Sequence, residues 1–192
     1  VYSLNDQPLV PIQEKKFNKK VSQYINSHDL VIVSDYGHGL ISDTTAKLIV
    51  KKSNFCAVNT QLNSSNLGFH VISKYFGANL ITINEAEMRH ELRNKTEHRM
   101  SLIKKLAKKL NSDYTHVTSG NMGSSIYNKK LNKLTSCPAF ADKVTDKVGT
   151  GDSMLAILGV SLFKKINIKF SMFLSALVAA ENIKEMANKK NI

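Results

Sequence analysis

The sequence has few of the residues that mark disulfide-stapled, metal-bound or membrane-spanning proteins. It contains two cysteines, three prolines and no tryptophan. Cys56 and Cys137 lie far apart without a second cysteine or a histidine at metal-ligand spacing, so neither a disulfide framework nor a zinc site is indicated. No apolar run approaches the roughly 18 residues of a membrane span. We therefore expect a soluble protein of the reducing cytoplasm with no membrane partner.

Acidic residues are also scarce, because 15 Asp and Glu stand against 27 Lys and Arg, for a formal net charge of +12. Such a charge is compatible with nucleic-acid binding through counterion release. The lysines, however, are scattered in pairs along predicted helices, and aromatic residues make up only 7% of the chain. This distribution favours solvated helix faces over a nucleic-acid surface. A basic field would still attract an anionic substrate such as a nucleotide.

What the chain does contain is 42% hydrophobic residues in a length of 192, which is enough for one core. Apolar runs of strand length alternate with segments of helical period, a pattern typical of a parallel α/β sheet. The predicted strands are 30–33, 55–58, 80–83 and 115–118, and the predicted helices are 14–27, 42–52, 85–93, 98–111, 152–164 and 170–187. A terminal β-hairpin is predicted from 124–127 and 131–134. One layered α/β domain over residues 1–192 accounts for the pattern.

A short glycine loop, Gly149-Thr150-Gly151, precedes Asp152 and an apolar helical run. In open α/β sheets, ligands bind beyond the carboxyl ends of the strands, where amides at helix N-termini hold phosphate. The helix dipole favours an ionised carboxylate at Asp152, which can accept a proton from a substrate hydroxyl while the loop amides hold the phosphoryl group. Alternatively, Asp152 is only a helix cap and the glycines only a turn. The loop alone leaves both interpretations open.

The run from Asp146 to Asp152, DKVGTGD, resembles the signature of the ribokinase-like (PfkB) carbohydrate kinases. Thr150 stands where alanine is usual, and Lys147 replaces a residue that is usually uncharged. The resemblance implies a monovalent-cation site around Asp146. It also implies that the catalytic residues are the base Asp152 and the charge-stabilising loop of Gly149, Thr150 and Gly151.

Two further motifs follow predicted strands in the order that this family has. Asn84 and Glu87 resemble its Asn-x-x-Glu motif, which implies a Mg²⁺ site beside the phosphates, and amide and carboxylate oxygens suit that ion. Thr118, Gly120 and Gly123 resemble the turn that lies along the nucleotide, so the resemblance implies that they bind ATP.

The resemblance implies that Asn182, in the predicted helix 170–187, could reach adenine, as residues of this late segment do in relatives. The simpler alternative is that Asn182 is an ordinary polar helix position.

The run from Val33 to Gly39 is similar to the Ser-Asp-Tyr-Gly-Lys-Gly of the heptose-phosphate kinase (RfaE/HldE-like) branch, with His38 in place of lysine. This similarity implies that Asp35 and Asn59 lie near the substrate. Asp35 could instead stabilise its own turn, and His38 is expected to be a surface loop residue. Residues 58–66 depart from the Asp-Pro-Lys of the heptose enzymes, so the sugar stays open.

The resemblance as a whole implies a ribokinase-like α/β/α fold and an ATP-dependent phosphotransferase that acts on a hydroxyl of a sugar or sugar phosphate. A non-catalytic nucleotide-binding or regulatory module of a larger protein, with a fused nucleotidyltransferase, is the alternative. A basic nucleic-acid binder is a weaker third interpretation.

The chain opens with VYSLNDQPLV, which has neither an initiator methionine nor a secretory signal. We therefore expect the C-terminal portion of a kinase domain, without the first strand, the sugar-binding glycine pair and the β-lid that this family has upstream. Residues 1–13 could be the tail of that lid. Because a lid excludes water and completes a site, the piece alone is expected to be inactive, and the lid implies a homodimer in the full-length protein.

Overall fold

A computed structural model describes residues 7–62, 72–140 and 149–189, with side chains as far as Asn182. Its strands are β1 (Leu30–Asp35), β2 (Phe55–Thr60), β3 (Leu80–Asn84), β4 (Tyr114–Thr118), β5 (Ser124–Asn128) and β6 (Lys133–Cys137). Its helices are α1 (Pro11–Ile25), α2 (Asp43–Lys52), α3 (Glu85–Glu91), α4 (Arg99–Leu110), α5 (Thr150–Phe163) and α6 (Ile168–Lys189).

The strands form one six-stranded sheet in the order β1-β2-β3-β4-β5-β6. Strands β1 to β4 pair in parallel, and β5 and β6 add antiparallel to the end of the sheet. The predicted mostly parallel α/β sheet with a terminal hairpin is therefore confirmed.

Several predicted boundaries differ from the structure by one to three residues, and two of these differences have a clear physical reason. The first helix begins at Pro11 and not at residue 14, because proline is well suited to the first helical position, where no amide hydrogen bond is needed. The last strand begins at Lys133 and not at residue 131. The intervening turn continues to Asn132, whose φ of 47° lies in the left-handed region.

Two hydrophobic layers cover the sheet, one on each face. Ile81 and Ile83 of β3 pack with α1 to α4, whereas Leu80 packs with α5 and α6. This alternation follows from the two-residue period of a strand, and it accounts for the apolar character of strands that are covered on both faces. Among the described residues, no helix has both the length and the hydropathy to cross a membrane.

Helix α5 lies close against the middle of β2. A β-carbon at Gly159 of this helix would be 3.2 Å from the β-carbon of Ala57, so a glycine there permits the close approach. The helix also contacts β1 and β3. Its first turn consequently lies at the carboxyl ends of the parallel strands, where a ligand site is expected in such a sheet.

Candidate active site

A cavity of about 920 Å³ opens at the carboxyl ends of the parallel strands. It is lined by the ends of β2, β3 and β4, the turn before β5, the segment after β6, and parts of α3, α5 and α6. Of the residues predicted from the sequence, those that line it are Asn59, Asn84, Glu87, Thr118, Gly120, Gly123, Thr150 and Gly151. The fold therefore brings three separate motifs, together with Asn59, which was predicted to lie near the substrate, to one cavity.

Asp152 lies in the first turn of α5, with Gly149 as the N-cap residue. Its carboxylate is half-buried and accepts two hydrogen bonds, from the Ser34 hydroxyl to Oδ1 and from the Tyr36 hydroxyl to Oδ2, each at 2.5 Å. The bond to Asp152, followed by partial burial, raises the pKa of the Tyr36 phenol. Asp152 is thus turned towards the end of β1 and away from the core.

The glycine loop meets the requirements of an anion-binding turn. Gly149 has a φ of 77°, which favours glycine, and has no side chain to cap the helix. The amides of the first helical turn have no partner within the helix and are suited to bind an anion. A β-carbon at Gly151 would be 3.2 Å from Nδ2 of Asn59, so the loop lies directly over that buried side chain.

Asp146 and Lys147, where the cation site was expected, lie outside the described residues. Residues 1–6 of the expected lid tail and residues 63–66 of the run after β2 also lie outside them.

Asn84 and Glu87 form a reciprocal capping box at the start of α3. Both oxygens of Glu87 accept main-chain amides, Oε2 from Asn84 at 2.9 Å and Oε1 from Leu62 at 3.2 Å. Burial raises the pKa of Glu87 more than these amides lower it. Neutral main-chain donors leave the carboxylate with spare lone pairs. Since Mg²⁺ keeps much of its water, these hard oxygens at the cavity wall fit an ion held largely through water.

Glu85 is a second carboxylate at the cavity wall, one that the sequence analysis missed. It accepts hydrogen bonds from Arg89 at 2.7 Å and from Ser119 at 2.8 Å. Burial by itself would raise the pKa of Glu85, but these hydrogen bonds and the nearby arginines lower it. Its position within the Asn-x-x-Glu motif could have identified Glu85 from the sequence. No group of three or more His, Cys, Asp or Glu side chains in the described part of the chain is arranged to hold a metal directly.

The turn between β4 and β5 follows the predicted nucleotide motif. Gly120 and Gly123 have φ of 58° and 79°. A β-carbon at Gly123 would be only 2.1 Å from the carbonyl oxygen of Cys137, whereas one at Gly120 would meet nothing within 4 Å. The first glycine is required by backbone conformation, and the second also by the strand beside it.

Asn182 is not among the residues that line the cavity. Its amide donates to the Ser153 hydroxyl at 2.5 Å and so joins α6 to α5. This contact fits the simpler alternative of a polar helix position, and adenine binding by Asn182 stays a prediction. The cavity wall near α6 is apolar instead, and its residues are Phe140, Ala176, Ala179 and Ala180.

Asp35 is buried on the other face of the sheet from Asp152. Its Oδ1 accepts the Gly37 amide at 3.0 Å, and its Oδ2 accepts the Tyr75 hydroxyl and the Lys74 ammonium, each at 2.6 Å. Burial alone would raise the pKa of Asp35, but these donors and the charge of Lys74 lower it. The contacts match the alternative in which Asp35 stabilises its own turn, and its contact with substrate stays a prediction.

Ser34 and Tyr36, the two neighbours of Asp35, contact Asp152 but were not predicted from the sequence. The signal was present, because successive residues of a strand point to opposite faces, and a buried aspartate therefore directs its neighbours the other way. His38, expected to be a surface loop residue, is half-buried, and its ring is stacked on Tyr36 with centroids 6.5 Å apart.

Comparison with known proteins places these motifs in context. Residues 5–189 match the model of the family described as pfkB family carbohydrate kinase. The bifunctional protein HldE of Campylobacter curvus is 30% identical over 171 residues, which is 87% of this chain and 35% of that protein. HldE of Nitratiruptor is 26% identical, over 88% of this chain and 35% of that protein. The expected resemblance to the family and to its HldE-like branch is confirmed.

Solved structures share the fold at low sequence identity. Phosphofructokinase-2 of Escherichia coli superposes with a TM-score of 0.73 at 11% identity, over 90% of this chain and 56% of that one. Ribokinase of Thermotoga maritima superposes with a TM-score of 0.63 at 19% identity, over 83% of this chain and 51% of that one. The chain thus spans about a third of the length of its curated relatives and about half of that of these structures.

Proposed function

Because this chain belongs to the pfkB family of carbohydrate kinases, we propose that it is the nucleotide-binding and catalytic-base portion of an ATP-dependent kinase. The acceptor is a hydroxyl of a sugar or sugar phosphate. In support, structures that share this fold include an Escherichia coli phosphofructokinase-2 in complex with fructose-6-phosphate and an Arabidopsis thaliana ribokinase complexed with ribose and ATP. The observation that carries the proposal is the position of Asp152, in the first turn of a helix whose residues Thr150 and Gly151, directly before it, line the cavity.

Asp152 acts as the base. Its carboxylate accepts the proton of the acceptor hydroxyl, which becomes a stronger nucleophile towards the terminal phosphate of ATP. The amides at the start of α5 stabilise the charge that develops on the transferring group, and they are aligned before the reaction, so little reorganisation is needed. Gly149, Thr150 and Gly151 contribute through their backbone, which explains why small residues occupy these positions.

The remaining motifs hold the nucleotide. Thr118, Gly120 and Gly123 lie along one wall of the cavity, and the apolar wall near α6 suits the base. Asn84 and Glu87, with Glu85 beside them, are the residues that would hold Mg²⁺ through its water ligands. Bound Mg²⁺ would supply neutralisation of the phosphate charge. The net charge of +12 supports attraction of anionic substrates.

We also propose a location, a fused domain, an oligomeric state and a further cation for this protein. The chain acts in the cytoplasm within a longer protein, and the bifunctional HldE relatives suggest a second activity, such as a fused nucleotidyltransferase. We propose that the full-length protein is a homodimer, as the family's lid implies. A monovalent cation bound near Asp146 would complete the site.

The test is a phosphotransfer assay of the full-length protein with Mg·ATP and a panel of sugars and sugar phosphates, with products identified by ³¹P NMR. We expect one acceptor class to give a new phosphate ester with equimolar ADP. Absence of any ester across the panel would contradict the proposal.

A second candidate is a nucleotide-binding module without turnover. Its supporting observation is that both oxygens of Glu87 and both of Asp152 already accept hydrogen bonds from the chain. Isothermal titration with Mg·ATP, run beside the transfer assay, separates the two candidates. Binding without any product favours the module, whereas binding with product favours the kinase.

A further inference from the structure

We propose that Ser34 and Tyr36 are positioning residues that fix the orientation of the Asp152 carboxylate. The inference rests on the proposed function, because it assigns Asp152 the role of base. It concerns two residues that the sequence motif alone does not distinguish from their neighbour Asp35.

The two hydroxyls reach different oxygens of one carboxylate. Ser34 donates to Oδ1 and Tyr36 to Oδ2, each at 2.5 Å. The terminal torsion of an aspartate is broad, with no strong preference among rotamers. One hydrogen bond would still allow the carboxylate to swing about its partner, but two bonds on opposite oxygens fix the torsion.

The spacing of the two donors is set by β1. Ser34 and Tyr36 are two residues apart, so they project from the same side of the strand and its extension. Asp35 between them projects to the other side, where Tyr75 and Lys74 hold it. The main chain there is held as well, because the carbonyl of Asp35 accepts the Gln61 amide at 3.1 Å. The buried Asp35 cluster thus anchors the backbone from which both hydroxyls project.

The arrangement leaves Asp152 able to act. An ionised carboxylate offers about four lone-pair sites, and these two hydroxyls fill one on each oxygen. Acceptor sites therefore remain for the proton of a substrate hydroxyl. Hydrogen bonds to a charged acceptor are the stronger kind, so two of them are enough to hold the carboxylate in one orientation.

The location of the two residues argues against a role in the fold. Ser34 and Tyr36 are exposed, and Tyr36 retains 40% of its accessible surface. Polar groups at exposed positions usually contribute little to stability. Loss of either hydroxyl is therefore expected to affect catalysis more than folding.

The experiment measures kcat and KM of the full-length protein for Ser34→Ala, Tyr36→Phe and Ser34→Thr. We expect kcat to fall about 10-fold to about 100-fold in the first two variants, as for small misplacements of a catalytic group. KM for ATP should not change. Ser34→Thr keeps the hydroxyl and should recover most of kcat. Tyr24→Phe, at an exposed tyrosine of α1, is the matched control and should match the parent.

The split between kcat and KM gives a readout that a structural role would not move. We expect kcat to fall with an unchanged KM for the sugar in Tyr36→Phe and Ser34→Ala, but not in Tyr24→Phe. A parental kcat in both variants would overturn the inference. A rise in the KM of the sugar with an unchanged kcat would also overturn it, because it would identify a substrate contact.

Failure of the proposed function is recognised separately, by an absence of phosphotransfer in the parent protein. In that case, a double-mutant cycle of Tyr36→Phe with Asp152→Asn tests whether the two side chains interact. The free energy of unfolding of each variant is measured in urea. Non-additive changes support the anchoring of Asp152 by Tyr36, and additive changes overturn it.

Discussion

The side chains of Asn84 and Glu87 each accept a hydrogen bond from the main-chain amide of the other residue. Oδ1 of Asn84 accepts the Glu87 amide at 2.8 Å, and Oε2 of Glu87 accepts the Asn84 amide at 2.9 Å. The two residues that the family motif assigns to Mg²⁺ thus also build the start of α3. A variant that preserves the capping box but removes the charge can separate the two roles.

Glu87→Gln is that variant, because glutamine also serves at the third position of a capping box. Its one carbonyl oxygen can keep the Asn84 amide, but the Leu62 amide loses its acceptor, so we expect the free energy of unfolding to fall by about 1–3 kcal/mol. The Mg²⁺ concentration for half-maximal activity should rise about 10-fold, as for the loss of an outer-shell partner. Glu87→Ala, which loses the box as well, should be destabilised in urea unfolding. An unchanged Mg²⁺ requirement in Glu87→Gln would contradict the metal role.

Asp152→Asn removes the proposed base. We expect kcat for phosphotransfer to fall by about 10²-fold to 10⁴-fold, the range for general-base catalysis, with ATP affinity within about threefold of the parent. Steady-state kinetics and isothermal titration measure the two quantities. Asp43→Asn is the matched control, because Asp43 is also an acid in the first turn of a helix but belongs to α2 and not to the motif before α5. Parental turnover in Asp152→Asn would show that another group is the base.

The two glycines of the β4–β5 turn should differ in their tolerance of a methyl group. Gly120→Ala meets only the cost of a left-handed backbone, roughly 1–2 kcal/mol. Gly123→Ala adds a clash with the Cys137 carbonyl, which lies 2.1 Å from the new atom, so β6 must move. We expect a loss of roughly 3 kcal/mol or more for Gly123→Ala in urea unfolding. Equal losses in the two variants would mean that β6 does not constrain the turn.

His116 should make the stability of the protein depend on pH. It is wholly buried, its ring nitrogens have no hydrogen-bond partner among the described residues, and burial lowers its pKa to about 4 from 6.5. Between these values the unfolded chain binds the proton and the folded chain does not. The free energy of unfolding therefore has its full value above about pH 6.5 and decreases as the pH falls towards 4, by up to about 3 kcal/mol.

Urea unfolding of the parent and of His116→Gln across pH 4–7 measures this effect. The difference in unfolding free energy between the two should shrink or reverse in favour of the variant as the pH falls. His116→Leu should give the same pH slope, whatever its absolute stability. A difference that is constant across this range would contradict a buried neutral histidine.

The pair formed by Asp35 and Lys74 distinguishes the two interpretations of Asp35. Their charged groups are 2.6 Å apart, with side chains only 6% and 8% exposed. Lys74→Met leaves a buried carboxylate without its cation and should cost roughly 3–5 kcal/mol in urea unfolding. The double variant with Asp35→Asn should be less destabilised than the sum of the single changes. Loss of sugar affinity at parental stability in Asp35→Asn would instead support the substrate role.

Local sequence patterns were enough to predict the elements and the motifs. Continuous β-branched runs such as Leu30–Val33 and the helical period of 98–111 depend on neighbours within a few residues, and the strands and helices lie there. Asp152 could be placed at the start of a helix for the same reason, although that helix begins at Thr150, two residues before the predicted start. The turn after β5 was misplaced because the left-handed conformation of Asn132 is not encoded by an obvious glycine.

The chain by itself thus determined the alternating elements, the order of the motifs and the strand ends on which they lie, because each depends on contacts between close neighbours. Only the tertiary structure decided that Ser34, and not Asp35, reaches Asp152 across 118 residues. It also decided that the Cys137 carbonyl excludes a side chain at Gly123. Such relationships depend on which strand lies beside which and on how closely α5 packs on the sheet, and these long-range contacts are set by the packing of the whole core.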